Sequence, residues 1–232
     1  MPSPFTILRP QGKGPFVIFC DHASNRIPAE LENLGLPPSE LERHIAWDIG
    51  AAGVAAELSK IFDAPTILSG ISRLVIDCNR QLYAQDLIPE VSDGTVIPGN
   101  QNLSEPARQS RIEQWFEPYH AAIESVIERS LPTIALSIHS MTPCLAGVPR
   151  PWQIALSSHR DRTLVDPLLE NLGDFIVGDN QPYDLDPEVD YSTPYHALRR
   201  NLPHLQVEFR QDEITHPAAQ IIWAHRFAKA LL

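Results

Sequence analysis

FVIFCDHASNRIP, residues 16–28, opens as five apolar, β-favouring residues and breaks abruptly into a polar cluster. The apolar run is too short for a helix and reads as a buried strand, and the cluster reads as the loop that leaves it. The pattern recurs. PTILS at 65–69, SRLVIDCNR at 72–80, PTIALSIHS at 132–140, WQIALSS at 152–158, FIVG at 175–178 and HLQVEFR at 204–210 all read as strands. Helical stretches lie between them. Apolar spacing from Leu41 to Ile61 suits one or two helices after a Ser39 cap. Ser104 caps a long helix to about Ser130, with Pro106 in its first turn. Further helices are expected over about 161–172, 193–201 and 215–232. Residues 81–103, with Pro89, Gly94, Pro98 and Gly99, read as a long loop.

Strands alternating with helices predict an α/β fold: a three-layer domain with a mixed, mostly parallel sheet and helices on both faces. The 232 residues are expected to form one domain, 1–232, large enough to bury about 70–75% of the unfolded surface. The formal net charge of −11 argues against a nucleic-acid binder. Three cysteines (Cys20, Cys78 and Cys144) with no CxxC pair suggest no disulfide framework. Residues 1–19 lack the basic start and apolar run of a signal peptide, and no stretch approaches about 18 consecutive apolar residues. A cytoplasmic protein that needs neither membrane nor nucleic acid is the expectation. Its oligomeric state is open.

In open α/β sheets ligands bind beyond the carboxyl ends of the strands, and those positions are polar here. Asp21, His22, Ser24, Asn25 and Arg26 follow the first strand, and Arg73, Asp77, Asn79 and Arg80 lie in or after 72–80. His139 and Ser140 follow the strand at 134–138, and Glu208 and Arg210 lie in the last. Asp48, expected on a helix in IAWDIGAA, is costly to bury unless paired. Catalytic zinc sites take about three ligands from His, Asp and Glu. His22, Asp48 and His139 are therefore the expected ligands of a divalent metal, with zinc favoured and cobalt, manganese or iron also compatible. Glu208 is the expected general base. Arg73 would polarise a carbonyl or bind a carboxylate. Asn79 and Arg80 would grip a substrate carboxylate, a role for which guanidinium is shaped; Ser140 and Arg210 are added to the substrate-binding set. Read singly, each histidine is more often a capped or hydrogen-bonded loop residue, and the Arg73–Asp77 and Glu208–Arg210 pairs could be same-face ion pairs. There is no G-x-S-x-G elbow, G-x-G-x-x-G or Walker loop.

The segments DHASNRIP, HIAWDIGA, SRLVIDCNR, EPYHAAI, SIHSMTP and VEFRQDEI, in this order along nearly the whole chain, resemble the N-formylglutamate amidohydrolase family. The resemblance implies a zinc-carboxypeptidase-like fold, related to the aspartoacylase-type deacylases. It also implies hydrolysis of N-formyl-L-glutamate, a small anionic N-acyl amino acid, to formate and glutamate in histidine catabolism. In zinc carboxypeptidases an HxxE segment supplies a His and a Glu to the metal. His22 matches the His, but Asn25 stands in place of the Glu, leaving Asp48 as the candidate carboxylate ligand. His139 matches the second His, Asn79–Arg80 the carboxylate grip and Glu208 the catalytic glutamate. Two other readings stay open: a metal-dependent amidase or peptidase acting on a different amide, and a non-catalytic binding module on the same scaffold.

Overall fold

A computed structural model describes residues 3–232. In chain order the strands are β1 (Phe5–Leu8), β2 (Phe16–Cys20), β3 (Thr66–Ser69), the hairpin β4 (Val91–Ser92) and β5 (Thr95–Val96), β6 (Ile134–Met141), the hairpin β7 (Cys144–Leu145) and β8 (Val148–Pro149), β9 (Ile154–Ser157), β10 (Val177–Asp179) and β11 (His204–Arg210). The helices are α1 (Pro38–Leu41), α2 (Ala51–Ile61), α3 (Glu105–Arg111), α4 (Glu117–Ser130), α5 (Val165–Asn171), α6 (Ser192–His196) and α7 (Pro217–Leu231). Seven strands form one sheet in the order β1-β3-β2-β6-β11-β9-β10. Its centre, β3-β2-β6-β11, is parallel, whereas β1 on β3 and β9 on β11 are antiparallel. The expected mixed, mostly parallel α/β architecture is the one observed.

Side chains alternate across a strand, and here they sort into different cores. Phe16, Ile18 and Cys20 of β2, with Leu136 and Ile138 of β6 and Leu205, Val207 and Phe209 of β11, pack under α2, α5 and α7. Val17 and Phe19 of β2 and Ala135 of β6 face Tyr119, Ile123 and Val126 of α4 on the other side. A third cluster, of Leu34, Ile45, Leu74, Val75, Ile76, Leu87, Ile97 and Trp115, lies among the irregular segments.

That third core explains where local patterning misleads. SRLVIDCNR is not a strand but a series of turns. Its apolar residues are buried in the irregular core, and its amides bond outside any ladder: Ser72 N–H to the Arg26 carbonyl (2.8 Å) and Arg73 N–H to that of Ala46 (3.2 Å). Asp48 is likewise not on a helix. α2 begins only at Ala51, because Gly50 sits at φ +84° where a Cβ would lie 2.4 Å from the Ile214 carbonyl oxygen. Asp48 therefore lies in the connection before α2, its N–H bonded to the His22 carbonyl (2.9 Å). The 81–103 loop is more ordered than expected: it holds the β4–β5 hairpin and anchors itself through Leu87 and Ile97. The expected 104–130 helix is α3 and α4 joined by a π-helical segment over Ile112–Phe116. The edge strand β1, four partly exposed residues, carries too weak a pattern to be read from sequence.

Candidate metal and substrate site

The polar positions gather where β2, β6 and β11 run side by side. His22 lies two residues beyond β2. His139 lies inside β6, which runs two residues past it to Met141 rather than ending before it. Glu208 is the direct cross-strand partner of His139 in the β6–β11 ladder. Both are on the face opposite the α2–α7 core, since their neighbours Ile138, Val207 and Phe209 belong to that core. The loop carrying Asp48 passes over the β6 end and is fixed there by two bonds. Ser140 N–H donates to Asp48 Oδ2 (3.2 Å), and Ser140 Oγ–H to the Ile49 carbonyl (3.0 Å).

His22, Asp48 and His139 are all buried, and one donor atom from each lies within 4.8 Å of the other two. Asp48 Oδ2 is 2.9 Å from His139 Nδ1 and 3.4 Å from His22 Nδ1. Ligands about 2.0–2.2 Å from a tetrahedral ion stand about 3.3 Å from one another, so the three groups suit a small divalent cation. The far side of each ring strengthens the fit. His22 Nε2 meets Asp77 Oδ1 at 2.7 Å; His139 Nε2 meets Ser137 Oγ at 2.9 Å and Asp21 Oδ2 at 3.3 Å. A carboxylate behind an imidazole fixes its orientation and tautomer and raises its basicity at the opposite nitrogen. Both histidines are thus held with Nδ1 turned towards Asp48. Asp21 and Asp77 were visible in the sequence as strand-end acids, but their role behind the rings depends on three-dimensional placement.

Charge compensation is thorough. Burial opposes ionisation of Asp21, yet hydrogen bonds from His139 and Ser192 hold its carboxyl down at about 2. Burial likewise opposes the charged forms of Asp48 and Asp77. His22 and His139 pull Asp48 down, and Arg73 and His22 pull Asp77 well below the carboxylate range. Arg73 donates to Asp77 Oδ2 from Nε (3.0 Å) and Nη2 (2.6 Å) and sits 3.6 Å from Asp48 Oδ1, which keeps it charged. Glu208 goes the other way: burial, reinforced by the nearby Asp48 charge, raises it to about 7 against the pull of His139, His22 and Arg73.

A cavity of about 280 Å³ opens onto this cluster. His22, Asp48, His139, Glu208, Arg73, Asn79, Arg80 and Ser140 line it, so eight of the nine expected site residues converge. Arg210 does not. Its guanidinium turns to the carbonyls of Arg150 (3.3 Å) and Pro151 (3.0 Å) and to Asp212 and Glu213. Asn79 lines the wall and is held by its amide: Nδ2 donates to Asp190 (2.9 Å), and Oδ1 accepts from the N–H groups of Tyr191 (3.0 Å) and Ser192 (2.9 Å). Arg80 bonds Asp86 (2.8 Å) and lies 3.9 Å from Asp190. Asn25 reaches away from the cluster to the Leu41 carbonyl (2.9 Å). The outer wall comes from two segments, Met141–Arg150 and Pro182–Asp190, which contribute Arg150 and Tyr183; beyond Pro143, where SIHSMTP ends, neither carries a motif.

The model of the N-formylglutamate amidohydrolase family matches residues 14–215. No curated protein matches the chain. Among solved structures, the chain is similar to the gene product Atu2144 from Agrobacterium tumefaciens: 31% identity over 99% of this chain and 95% of that one, with a TM-score of 0.93. The N-formylglutamate amidohydrolase from Ralstonia eutropha JMP134 shares the fold at 20% identity, with a TM-score of 0.71 over 99% of this chain and 96% of that one.

Proposed function

Because this chain belongs to the N-formylglutamate amidohydrolase family, hydrolases of carbon–nitrogen bonds, we propose that it hydrolyses the amide of a small anionic N-formyl amino acid, N-formyl-L-glutamate first, with the help of a divalent metal. The observation carrying this reading is the buried trio His22, Asp48 and His139 with Glu208 across the ladder, all facing one cavity. The trio would hold the metal, zinc by its ligand chemistry, with cobalt, manganese or iron accepting the same donors. When bound, the ion supplies Lewis-acid polarisation and makes water acidic near neutral pH.

The chain's own groups do the rest. Glu208, with a carboxyl raised to about 7, accepts a proton from the attacking water as its oxygen bonds to the formyl carbon. It returns that proton to the amine nitrogen as the carbon–nitrogen bond breaks, releasing formate and the amino acid. Arg73, kept cationic by Asp77 and Asp48, stabilises the negative charge that develops on the formyl oxygen. Arg80 offers its guanidinium to the substrate, while Asn79 secures the 190–192 wall and Ser140 secures the Asp48 loop.

Metal analysis of the purified protein, paired with a formate-release assay over a panel of N-formyl amino acids, tests this. Stoichiometric divalent metal in the wild type, its loss in His139→Asn, and fastest release from N-formylglutamate are expected. A metal-free wild type, or formate released from none of the panel, overturns the reading.

A further inference from the structure

Three guanidinium groups line the cavity: Arg73, Arg80 and Arg150. Their surroundings differ. Arg73 is doubly paired with Asp77 and Asp48, and Arg80 with Asp86 and Asp190. Arg150 is buried, 8% exposed, yet among the described residues no carboxylate lies within 4.0 Å of it. Its partners are two hydroxyls: Nη1 meets Thr142 Oγ1 at 3.2 Å and Nη2 meets Tyr183 Oη at 2.5 Å, with the guanidinium carbon 4.9 Å from the Tyr183 ring centroid. Hydroxyls and a ring face orient a cation without neutralising it. A buried charge without a counter-ion is costly, and this one is held rigidly. Its N–H donates to the Pro143 carbonyl (2.8 Å), and its own carbonyl and that of Pro151 accept from Arg210, which β11 fixes in place. Tyr183 is itself tied to the sheet, its carbonyl accepting from Ser157 Oγ of β9 (2.7 Å).

We propose that Arg150 is the specificity-determining anchor of this site, its guanidinium supplying the bidentate contact to a substrate carboxylate, with Tyr183 and Thr142 setting its plane and Arg210 holding its backbone. The inference rests on the functional reading above and deepens it. Arg80 already shares its charge with two aspartates, whereas Arg150 gains a first anionic partner only when an anionic substrate enters. It also gives Arg210 a part, as a positioning residue acting through the backbone of residues 150–151.

The test separates this from the function itself. Glutarate, a dicarboxylate with no scissile bond, is titrated calorimetrically into wild type, Arg150→Gln, Arg150→Lys and Arg80→Gln, and KM and kcat for N-formylglutamate are measured alongside. Losing a charge-assisted bidentate contact should weaken glutarate binding roughly 10- to 100-fold in Arg150→Gln. Arg150→Lys, which keeps the charge but loses the fork, should fall in between. KM should rise with kcat changed little, and Arg80→Gln should weaken binding less than Arg150→Gln does. Glutarate affinity unchanged in Arg150→Gln, or in Arg150→Lys should the glutamine variant fail to fold, overturns the proposal. So does a wild type that does not bind glutarate, or a larger loss in Arg80→Gln. If the wild type releases no formate yet glutarate affinity depends on Arg150, the functional reading falls and the anchor stands.

Discussion

The two faces of β11 carry opposite burdens. Leu205, Val207 and Phe209 point into the core beneath α2, α5 and α7, while Gln206 and Glu208 point to the cavity. All five are buried. One face gains free energy from burial, at roughly 25 cal/mol per Å² of apolar surface. The other spends it, because burial is what raises Glu208 to about 7. β6 is divided likewise, with Leu136 and Ile138 on one side and Ser137 and His139 on the other. The apolar face therefore supplies the stability that lets the polar face hold costly groups in place, a division of labour that substitutions can break one face at a time.

The largest effect is expected at Glu208. Glu208→Gln should lower formate release about 10²- to 10⁴-fold, the range of a lost general base, with metal content and denaturant midpoint retained. An undiminished rate would remove Glu208 from the chemistry. The adjacent Phe209→Ala should do the reverse, costing about 3–5 kcal/mol in denaturant unfolding while activity per folded molecule stays within a few-fold. Equal losses of rate in the two variants would erase the distinction between faces.

A subtler break uses pH. His120, buried behind the site between Phe116, Tyr191 and His196, is lowered by burial from 6.5 to about 4. Between those values the unfolded chain binds more protons than the folded one, so stability rises with pH. The contribution is complete above about 6.5 and lost as pH falls through about 4, worth about 3 kcal/mol in all. His120→Gln should flatten that part of the wild-type profile of unfolding free energy against pH; an unaltered slope would show that His120 does not titrate there. The smallest effect is expected behind the proposed metal ligands. Asp77→Asn, which weakens the partner of His22 Nε2, should reduce metal affinity about 10- to 100-fold in competition with a chelator. Unchanged affinity would mean that Asp77 serves Arg73 alone.

What could be read in advance follows the same division. HLQVEFR and PTIALSIHS read as strands with polar residues in or just after them, so His139 and Glu208 were legible as strand-end candidates. His22 was marked by the abrupt end of FVIFC. Asp48 was legible as a buried carboxylate but not as a loop residue, because the apolar periodicity of 41–61 runs through the connection that Gly50 interrupts. SRLVIDCNR misled for the same reason: Leu74, Val75 and Ile76 are buried by irregular neighbours, and burial pattern alone does not distinguish that from a sheet. Arg150 and Tyr183 were illegible, since they lie on segments with no periodicity and meet only through tertiary structure.

The pairing of His139 with Glu208 has a practical consequence for refolding. The two residues face each other only in one alignment of β6 with β11. A shift by one residue would turn every side chain of the displaced strand to the opposite face, sending Glu208 into the apolar core and Val207 into the cavity. Recovered turnover after denaturation therefore counts molecules whose two strands have met in the correct alignment, while a spectroscopic signal of helix or sheet would count the misaligned ones as well.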